Sequence, residues 1–296
     1  MEKKIPSLLL GTAQFGWNIN RQNSFELLDA FYESGFRQID SATNYPINKI
    51  ASDFRAAENI LLEWIRINGI QDLRVMMKIG SLNNLRTPEC NLSKSFLLMS
   101  LENYRNTFGK NLDTLMVHWS NQTSDDEIIE TISTLKKIQQ EGLEIGLSGI
   151  TSVEKFASFF ENKQIYIQLK NNILQSDFAK YIDFFPKAKY ITYGMNAGGV
   201  KLTTEGYTLD STLKIRGGDT SNQNDILKII EQKIIAANQN KNRPSIDSFF
   251  QVAMIHSFYN QNVYGLLVGN SSAAQWKNTF DFYKKMQTFD YSDVLK

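Results

Sequence analysis

The feature of this chain that most limits its fold is a regular alternation of short β-rich runs with longer amphipathic stretches. We identify eight strand-like runs, and several are apolar on both faces, as parallel strands covered by helices are. The runs cover residues 8–11, 37–40, 73–78, 114–118, 144–148, 165–170, 190–193 and 264–269. Their ends lie about 37 residues apart on average, close to the roughly 250/8 residues of one unit in a (β/α)8 barrel.

Two α/β architectures accommodate eight such units: a doubly wound open sheet and a closed (β/α)8 TIM barrel. The number and spacing of the units favour the barrel, and we expect residues 1–296 to form it as a single domain. Two connections are long, at residues 46–57 after strand two and at residues 194–243 after strand seven. In a barrel these connections rise from the C-terminal face, where active sites form, and long ones are commonly lids or binding loops.

The clearest helical pattern follows strand four. Ser124 and Glu127 have the spacing of a capping box, which predicts the first turn of a helix, and Gly142 marks its expected end. Between them, apolar residues recur with the helical period and predict a buried stripe of Ile128, Ile129, Ile132, Leu135 and Ile138.

Charge and composition argue against several classes of partner. The 32 Lys and Arg residues nearly balance the 31 Asp and Glu residues, and no basic patch suited to nucleic acid or an anionic membrane stands out. Cys90 is the only cysteine, which rules out an internal disulfide, and His118 and His256 stand far apart, which argues against a metal site. Since the sequence has no apolar run of about 18 residues and no secretory signal, we expect a cytoplasmic protein.

Three consecutive predicted strands end in an ionisable residue: strand two in Asp40, strand three in Lys78 and strand four in His118. A single charged residue at a strand end is usually a solvated terminus. Three in succession are better explained by a site, because the C-terminal ends of parallel strands meet at one face of a barrel. We therefore expect these side chains to converge there with Tyr45, which follows Asp40 in the next loop.

This set of side chains indicates proton transfer to a carbonyl group. A tyrosine with an ordinary pKa of about 10 is a weak acid at neutral pH. A Lys78 ammonium beside Tyr45 favours the phenolate and lowers that pKa, while Asp40 keeps the lysine charged and oriented. Tyr45 then becomes a usable proton donor, and the imidazole of His118 orients the carbonyl oxygen.

At these residues the sequence resembles the aldo-keto reductase family, over residues 8–278. The segment GFRQIDSATNY, from Gly35 to Tyr45, is similar to the family's Gly…Asp-Thr-Ala…Tyr signature, with Ser41 in place of the usual threonine. The pieces LGTAQFG at 10–16, MK at 77–78, LDTLMVHW at 112–119 and GLEIGLS at 142–148 follow in the family's order. Each piece alone is a weak signal, and their shared order at strand ends makes the likeness strong.

The resemblance implies a barrel that binds a nicotinamide nucleotide across its C-terminal mouth and uses four catalytic residues, Asp40, Tyr45, Lys78 and His118. Tyr45 is then the general acid in carbonyl reduction and the base in the reverse reaction. Trp17, Trp119 and the 46–57 connection are expected to shape the substrate pocket. The cofactor-binding residues implied in the same way are Gly11, Thr12, Ser148, Gln168, Tyr193, Asn196, Gly269, Asn270, Ser271, Gln275 and Asn278.

The chain departs from the family where the adenosine half of the nucleotide is expected. Uncharged residues at 269–271 and 275 replace the basic residues that commonly bind the 2′-phosphate of NADP(H), and Lys277 is the one cation in this segment. Because arginine binds phosphate best, we favour NADP(H) with a weaker preference than is usual, and NAD(H) remains open. Gly149 also replaces a usual asparagine after Ser148.

The leading hypothesis is an NAD(P)(H)-dependent oxidoreductase that reduces an aldehyde, ketone or sugar, or oxidises the corresponding alcohol. Its expected partner is therefore a small carbonyl or sugar molecule. The alternative is a cofactor-sensing binding protein on the same fold, similar to the potassium-channel beta subunits. The complete catalytic set favours the enzyme, although those relatives also retain it.

Overall fold

The computed structural model describes residues 5–160, 164–202, 206, 213 and 225–295. Its eight strands are parallel and close into a barrel in chain order, with β8 paired to β1. The predicted TIM barrel is confirmed, and no predicted strand end is more than two residues from its observed position. The strands are β1 (Ser7–Gly11), β2 (Gln38–Ala42), β3 (Arg74–Gly80), β4 (Leu112–Ser120), β5 (Glu144–Ile150), β6 (Tyr166–Lys170), β7 (Lys189–Tyr193) and β8 (Val263–Val268).

The α-helices of the described residues pack around this barrel, although they do not follow the strands one by one. The connection between β6 and β7 holds a short 3-10 helix, Phe178–Lys180, where the prediction had an α-helix. The connection between β7 and β8 holds two α-helices. The helices are α1 (Arg21–Glu33), α2 (Ala56–Ile67), α3 (Lys94–Phe108), α4 (Asp125–Gln140), α5 (Val153–Phe159), α6 (Asp225–Ala237), α7 (Phe249–Phe258) and α8 (Ala273–Thr288).

The long connections after β2 and β7 are both present, but the second differs from the expected loop. Its C-terminal part is helix α6, in which Leu227, Ile230 and Ile234 are buried at helical spacing. Residues 203–205, 207–212 and 214–224 of this connection lie outside the described residues.

Helix α4 forms where expected, with two corrections. Ser124 stands at the N-cap, but its side chain accepts no hydrogen bond, so the predicted capping box is wrong. Three acidic residues in the first turn stabilise that end through the helix dipole instead. The predicted stripe is wrong at Ile129, which is 41% exposed because it lies about 100° around the helix from the buried Ile128.

The barrel interior is closed by a layer of packed side chains, Leu9, Met76, Met116, Tyr166 and Ile191. Two glycines make this packing possible. A Cβ at Gly146 would lie 2.6 Å from Met116 Cε, and one at Gly265 would lie 2.5 Å from Leu9 Cδ1. Because this layer is solid, it forms the floor of any site at the C-terminal mouth.

At the mouth, the loops after β2 and β3 are joined by hydrogen bonds. Asn84 donates from Nδ2 to Ile50 O at 2.7 Å and accepts at its carbonyl from Lys49 N at 3.3 Å, while Arg86 Nε donates to Ile47 O at 3.1 Å. The 46–57 connection is therefore braced by its neighbour, a long loop over residues 81–93 that the sequence analysis did not single out.

Candidate active site

Asp40 and Lys78 lie directly above the barrel floor, and each is 1% exposed. The Lys78 ammonium donates to one carboxylate oxygen of Asp40. The other oxygen accepts a hydrogen bond from Gln168 Nε2, which reaches across the barrel from β6. Both oxygens of Asp40 are thus engaged, and the carboxylate fixes the lysine from below.

Tyr45 and His118 complete this cluster. Lys78 Nζ lies 4.8 Å from the centre of the Tyr45 ring, and the tyrosine hydroxyl helps to raise the pKa of the lysine. The rings of Tyr45 and His118 meet edge to face, with centroids 5.8 Å apart. The structure therefore brings together the four side chains that the sequence analysis selected.

Burial and charge set the protonation states of the cluster. Burial alone would lower the pKa of Lys78, but the Asp40 carboxylate and the Tyr45 hydroxyl outweigh it, so that the pKa is raised above its usual value. Burial, followed by the positive charge of Lys78, lowers the pKa of His118 well below its ordinary value. At neutral pH the site therefore contains a charged lysine and a neutral imidazole.

Backbone hydrogen bonds hold Tyr45 at the mouth. Its N–H donates to Ala42 O at 3.1 Å, and its carbonyl accepts from Ala57 N at the start of α2, at 3.3 Å. One residue earlier in the loop, the Thr43 N–H donates to Lys78 O at 3.0 Å. The tyrosine is thus tied to the end of β2 on one side and to a helix on the other.

A buried acid fixes the start of α2. Glu58 accepts hydrogen bonds from Arg55 Nε at 2.6 Å and from the Tyr104 hydroxyl of α3 at 2.8 Å. Burial raises the pKa of Glu58 above its usual value, although Arg55 and Tyr104 oppose the shift. Since Ala57 holds the carbonyl of Tyr45, this acid braces the loop that carries Tyr45. Sequence reasoning missed Glu58, and its only signal was a glutamate on the apolar face of a helix.

Three of the residues expected to contact nicotinamide lie on the adjacent strands β5, β6 and β7. Ser148 pairs in register with both His118 and Gln168, and Tyr193 is the last residue of β7. The bond from Gln168 to Asp40 was not foreseen, and it gives this glutamine a structural role as well. Gly149 has a left-handed backbone, and a Cβ there would lie 3.1 Å from Trp119 Cβ, so glycine leaves room for the Trp119 side chain.

The first strand contributes less directly. Gly11 pairs in register with Asp40. The Thr12 hydroxyl is buried and hydrogen-bonds to Asp40 O at 3.1 Å and to Ser41 Oγ at 2.9 Å, so that it supports β2. Trp17 is half-buried in the following loop, and no ring contact links it to the cluster of Asp40, Tyr45, Lys78 and His118 within the described residues. Trp119, by contrast, lies 5.1 Å from the His118 ring.

Two buried acceptors near the mouth fit a polar ligand. Asn196 Oδ1, three residues after β7, and Asn270 Oδ1, two residues after β8, have no hydrogen-bond partner among the described residues. Buried polar atoms are rarely left unsatisfied, so both suit the hydroxyl or amide groups of a nucleotide. The donor side of Asn270 is already used, because its Nδ2 binds Thr279 Oγ1 at 2.9 Å.

The remaining residues of the 269–278 segment lie between the end of β8 and the first turns of α8. Ser271 N donates to Gln275 Oε1 at 2.9 Å, and the hydroxyl of Ser272 caps the helix. Gly269 immediately follows β8, and a Cβ there would come no nearer than 3.8 Å to Gln14 Nε2. Asn278 is exposed on the outer side of the helix and lines a surface cavity of about 360 Å³.

Three cations in this part of the chain, Lys241, Arg243 and Lys277, could bring charge to a 2′-phosphate, and each is placed differently. Arg243 is buried, where it forms a two-pronged ion pair with Asp293 and donates to two carbonyls, so it is not available. Lys241 is exposed and donates to Asn238 O. Lys277 is exposed on α8, at a groove between α1 and α8 that Glu33 also lines.

The described part of the chain contains no group of three His, Cys, Asp or Glu side chains arranged to hold a metal ion. None of its helices has both the length and the apolar character needed to cross a membrane.

Comparisons with known proteins agree with this geometry. Residues 7–292 match the model of the aldo/keto reductase family. A putative aryl-alcohol dehydrogenase of Saccharomyces cerevisiae, AAD3, is 27% identical over 218 residues, or 65% of this chain and 56% of that protein. An uncharacterised 11.2 kDa protein of Pseudescherichia vulneris is 34% identical over 79 residues, or 26% of this chain and 77% of that protein.

The fold has a close counterpart among solved structures. A glycerol dehydrogenase from Gluconobacter oxydans superimposes with a TM-score of 0.73 over 100% of this chain and 96% of its own, at 19% identity. The alignment with the yeast relative spans little more than half of that protein's length. The family match extends over almost the whole sequence, and the chain therefore belongs to the aldo/keto reductase family, NAD(P)-linked oxidoreductases that act on small carbonyl compounds.

Proposed function

We propose that this protein catalyses hydride transfer between NAD(P)(H) and a small aldehyde or ketone, with Tyr45 as the proton donor. The observation that carries the proposal is the buried Lys78, which is paired with Asp40 and lies 4.8 Å from the centre of the Tyr45 ring, next to a neutral His118. A nicotinamide nucleotide, when bound, supplies the hydride. Ser148, Gln168, Tyr193, Asn196 and the 269–278 segment are the residues we assign to hold it.

The three ionisable residues around Tyr45 have distinct roles in this proposal. Tyr45 gives its proton to the carbonyl oxygen as that oxygen becomes an alkoxide, and the Lys78 charge stabilises the phenolate left behind. His118 is neutral and remains able to hydrogen-bond to the same oxygen, since its Nδ1 has no partner among the described residues. Asp40 does not exchange the proton, because both of its oxygens are already engaged.

We propose that the substrates include aryl aldehydes. Trp119 lies beside His118, and Tyr193 stands at the end of β7, so that aromatic side chains border the place where the carbonyl would bind. The yeast relative named as a putative aryl-alcohol dehydrogenase points the same way. Activity on a panel of aryl aldehydes, aliphatic aldehydes and sugars, measured as oxidation of NADPH and NADH at 340 nm, tests this choice.

The replacement Tyr45→Phe tests the role of the tyrosine. It removes the hydroxyl and keeps the ring, so the rate should fall by roughly 10²–10⁴ while cofactor affinity stays nearly unchanged. Tyr166→Phe, the same change in the barrel floor, is the matched control and should keep full activity. Near-normal turnover by Tyr45→Phe would refute the assignment. Cofactor binding by the wild type without turnover of any carbonyl would favour a cofactor-sensing binding protein instead.

We also propose a weak preference for NADP(H) over NAD(H). The support is the exposed Lys277 on α8 and the uncharged residues that precede it. A single solvent-exposed ammonium contributes less to phosphate binding than a buried arginine fork does. Fluorescence titration with both reduced cofactors tests the preference, and a thousand-fold preference for NADPH would contradict it.

A further inference from the structure

Lys170 is a cation at the barrel mouth that the reaction described above does not use. It is the last residue of β6, two residues after Gln168. Gln168 faces the barrel axis, because it binds Asp40 on the opposite wall. Side chains alternate along a strand, so Lys170 faces the axis as well, about 7 Å nearer to the mouth.

The stem of Lys170 lies under the start of the connection after β7. A Cβ at Gly194 would lie 3.4 Å from Lys170 Cγ and 3.7 Å from its Cε. The Gly194 carbonyl accepts hydrogen bonds from Asn172 Nδ2 at 3.0 Å and from Ala197 N at 2.9 Å, so this turn is fixed above the lysine. The stem of Lys170 therefore packs beside Gly194, the residue that follows β7.

Lys170 has no counter-ion among the described residues. The acid closest in its loop is Asp177, whose N–H donates to the Lys170 carbonyl, but the Asp177 carboxylate pairs with Lys180 at 2.8 Å. The lysine is only partly exposed. A half-buried ammonium without a partner is poorly solvated and gains free energy from an anionic ligand.

We infer that Lys170 binds the diphosphate of the dinucleotide, an assignment that rests on the proposed function. Lys170 pairs in register with Tyr193 and stands beyond Gln168, so it shares a wall with the residues assigned to nicotinamide. Tyr45 follows β2, four strands away around the barrel. In a nucleotide with its nicotinamide on this wall, one ribose separates the nicotinamide from the diphosphate, whose charges a lysine binds well.

The test is the affinity of the whole 296-residue chain for NADH and NADPH, measured by quenching of tryptophan fluorescence. Lys170→Met keeps the length of the stem and removes the charge. Because both cofactors carry the same diphosphate, Kd should rise by about tenfold or more, and by the same factor, for both. The affinity of the variant should also depend less on added KCl than that of the wild type.

Two further variants make the result specific. Lys187→Met removes an exposed lysine from the same β6–β7 connection and should leave both Kd values unchanged. Lys170→Arg keeps the charge and should retain most of the affinity, which separates a lost charge from a folding defect.

Three outcomes would overturn the inference. If Lys170→Met bound both cofactors with unchanged affinity, Lys170 would not contact the diphosphate. If Lys170→Met weakened the binding of NADPH alone, the lysine would contact the 2′-phosphate and not the diphosphate. If only the KM of the substrate changed, the lysine would contact the substrate. If the wild type bound neither cofactor, the proposed function itself would fail.

Discussion

Replacing Lys78 with methionine separates the stability of the buried ion pair from its role in the reaction. Lys78 and Asp40 are almost completely buried, so Lys78→Met leaves a carboxylate whose remaining partner is the Gln168 amide. Removing one partner of a buried ion pair typically costs about 3–5 kcal/mol. That is a large share of the roughly 5–15 kcal/mol by which folded proteins are stable.

The double variant Asp40→Asn/Lys78→Met should recover part of this loss. It contains no uncompensated charge, and the introduced amide keeps an oxygen for Gln168. What remains is an amide donor without a partner, which costs about 1–3 kcal/mol. The double variant should therefore be about 2 kcal/mol more stable than Lys78→Met, a coupling typical of residues in direct contact.

Urea unfolding followed by tryptophan fluorescence measures the free energy of unfolding, and the slope with urea shows whether unfolding stays two-state. Turnover of an aldehyde is measured in parallel. Both variants should be inactive, because neither has a positive charge beside Tyr45. If Lys78→Met unfolded at the wild-type urea concentration, the stability argument would be refuted. If the double variant regained activity, Lys78 would not be the group that acts on Tyr45.

Three other predictions concern regions away from the cluster. Arg243→Met should lower the free energy of unfolding by about 1–3 kcal/mol, because the Ala237 carbonyl loses its buried hydrogen bond and the Asp290 carbonyl a partly buried one, and a thermal melt with Asp293→Asn as the milder control checks this. Ser272→Ala should lower the free energy of unfolding by about 1 kcal/mol, because the Gln275 N–H at the start of α8 loses its acceptor. Ser272→Asp keeps an acceptor there and should leave that free energy nearly unchanged. Burial gives Glu58 a higher pKa in the folded protein than its value of 4.5 when unfolded, so its contribution to stability should fall as pH rises above 4.5 towards the folded pKa. The free energy of unfolding of the wild type minus that of Glu58→Gln, measured by urea unfolding from pH 4 to 7, should decrease as pH rises. An increase in that difference with pH would contradict the prediction.

The strands and the clustering of Asp40, Lys78 and His118 could be predicted from the sequence for the same physical reason. A parallel strand buried on both faces is a short apolar run, and the first polar residue after it lies at the barrel mouth. Asp40, Lys78 and His118 end the predicted runs, and in the structure each lies two residues before the end of its strand. The site could be assembled without coordinates because neighbouring strands place these residues next to one another.

Interactions across the barrel or between helices could not be predicted in this way. The bond from Gln168 to Asp40 joins strands that lie opposite each other, and no local pattern shows which inward side chains meet there. Glu58 was missed because a charged residue on a helix normally faces solvent. Helix α6, in contrast, did carry a signal. Its buried residues recur with the helical period. The glycine-containing stretch before it led us to predict a loop for the whole connection.

The floor of the barrel connects the fold to the chemistry. Leu9, Met116 and their neighbours in the floor exclude water from beneath Asp40 and Lys78, which raises the cost of burying those charges. The same exclusion of water strengthens the effect of the lysine on Tyr45, because charges interact more strongly in a low dielectric. The hydrogen bond from Gln168 holds the pair together across the mouth, so the stability and the reactivity of this site depend on the same contacts.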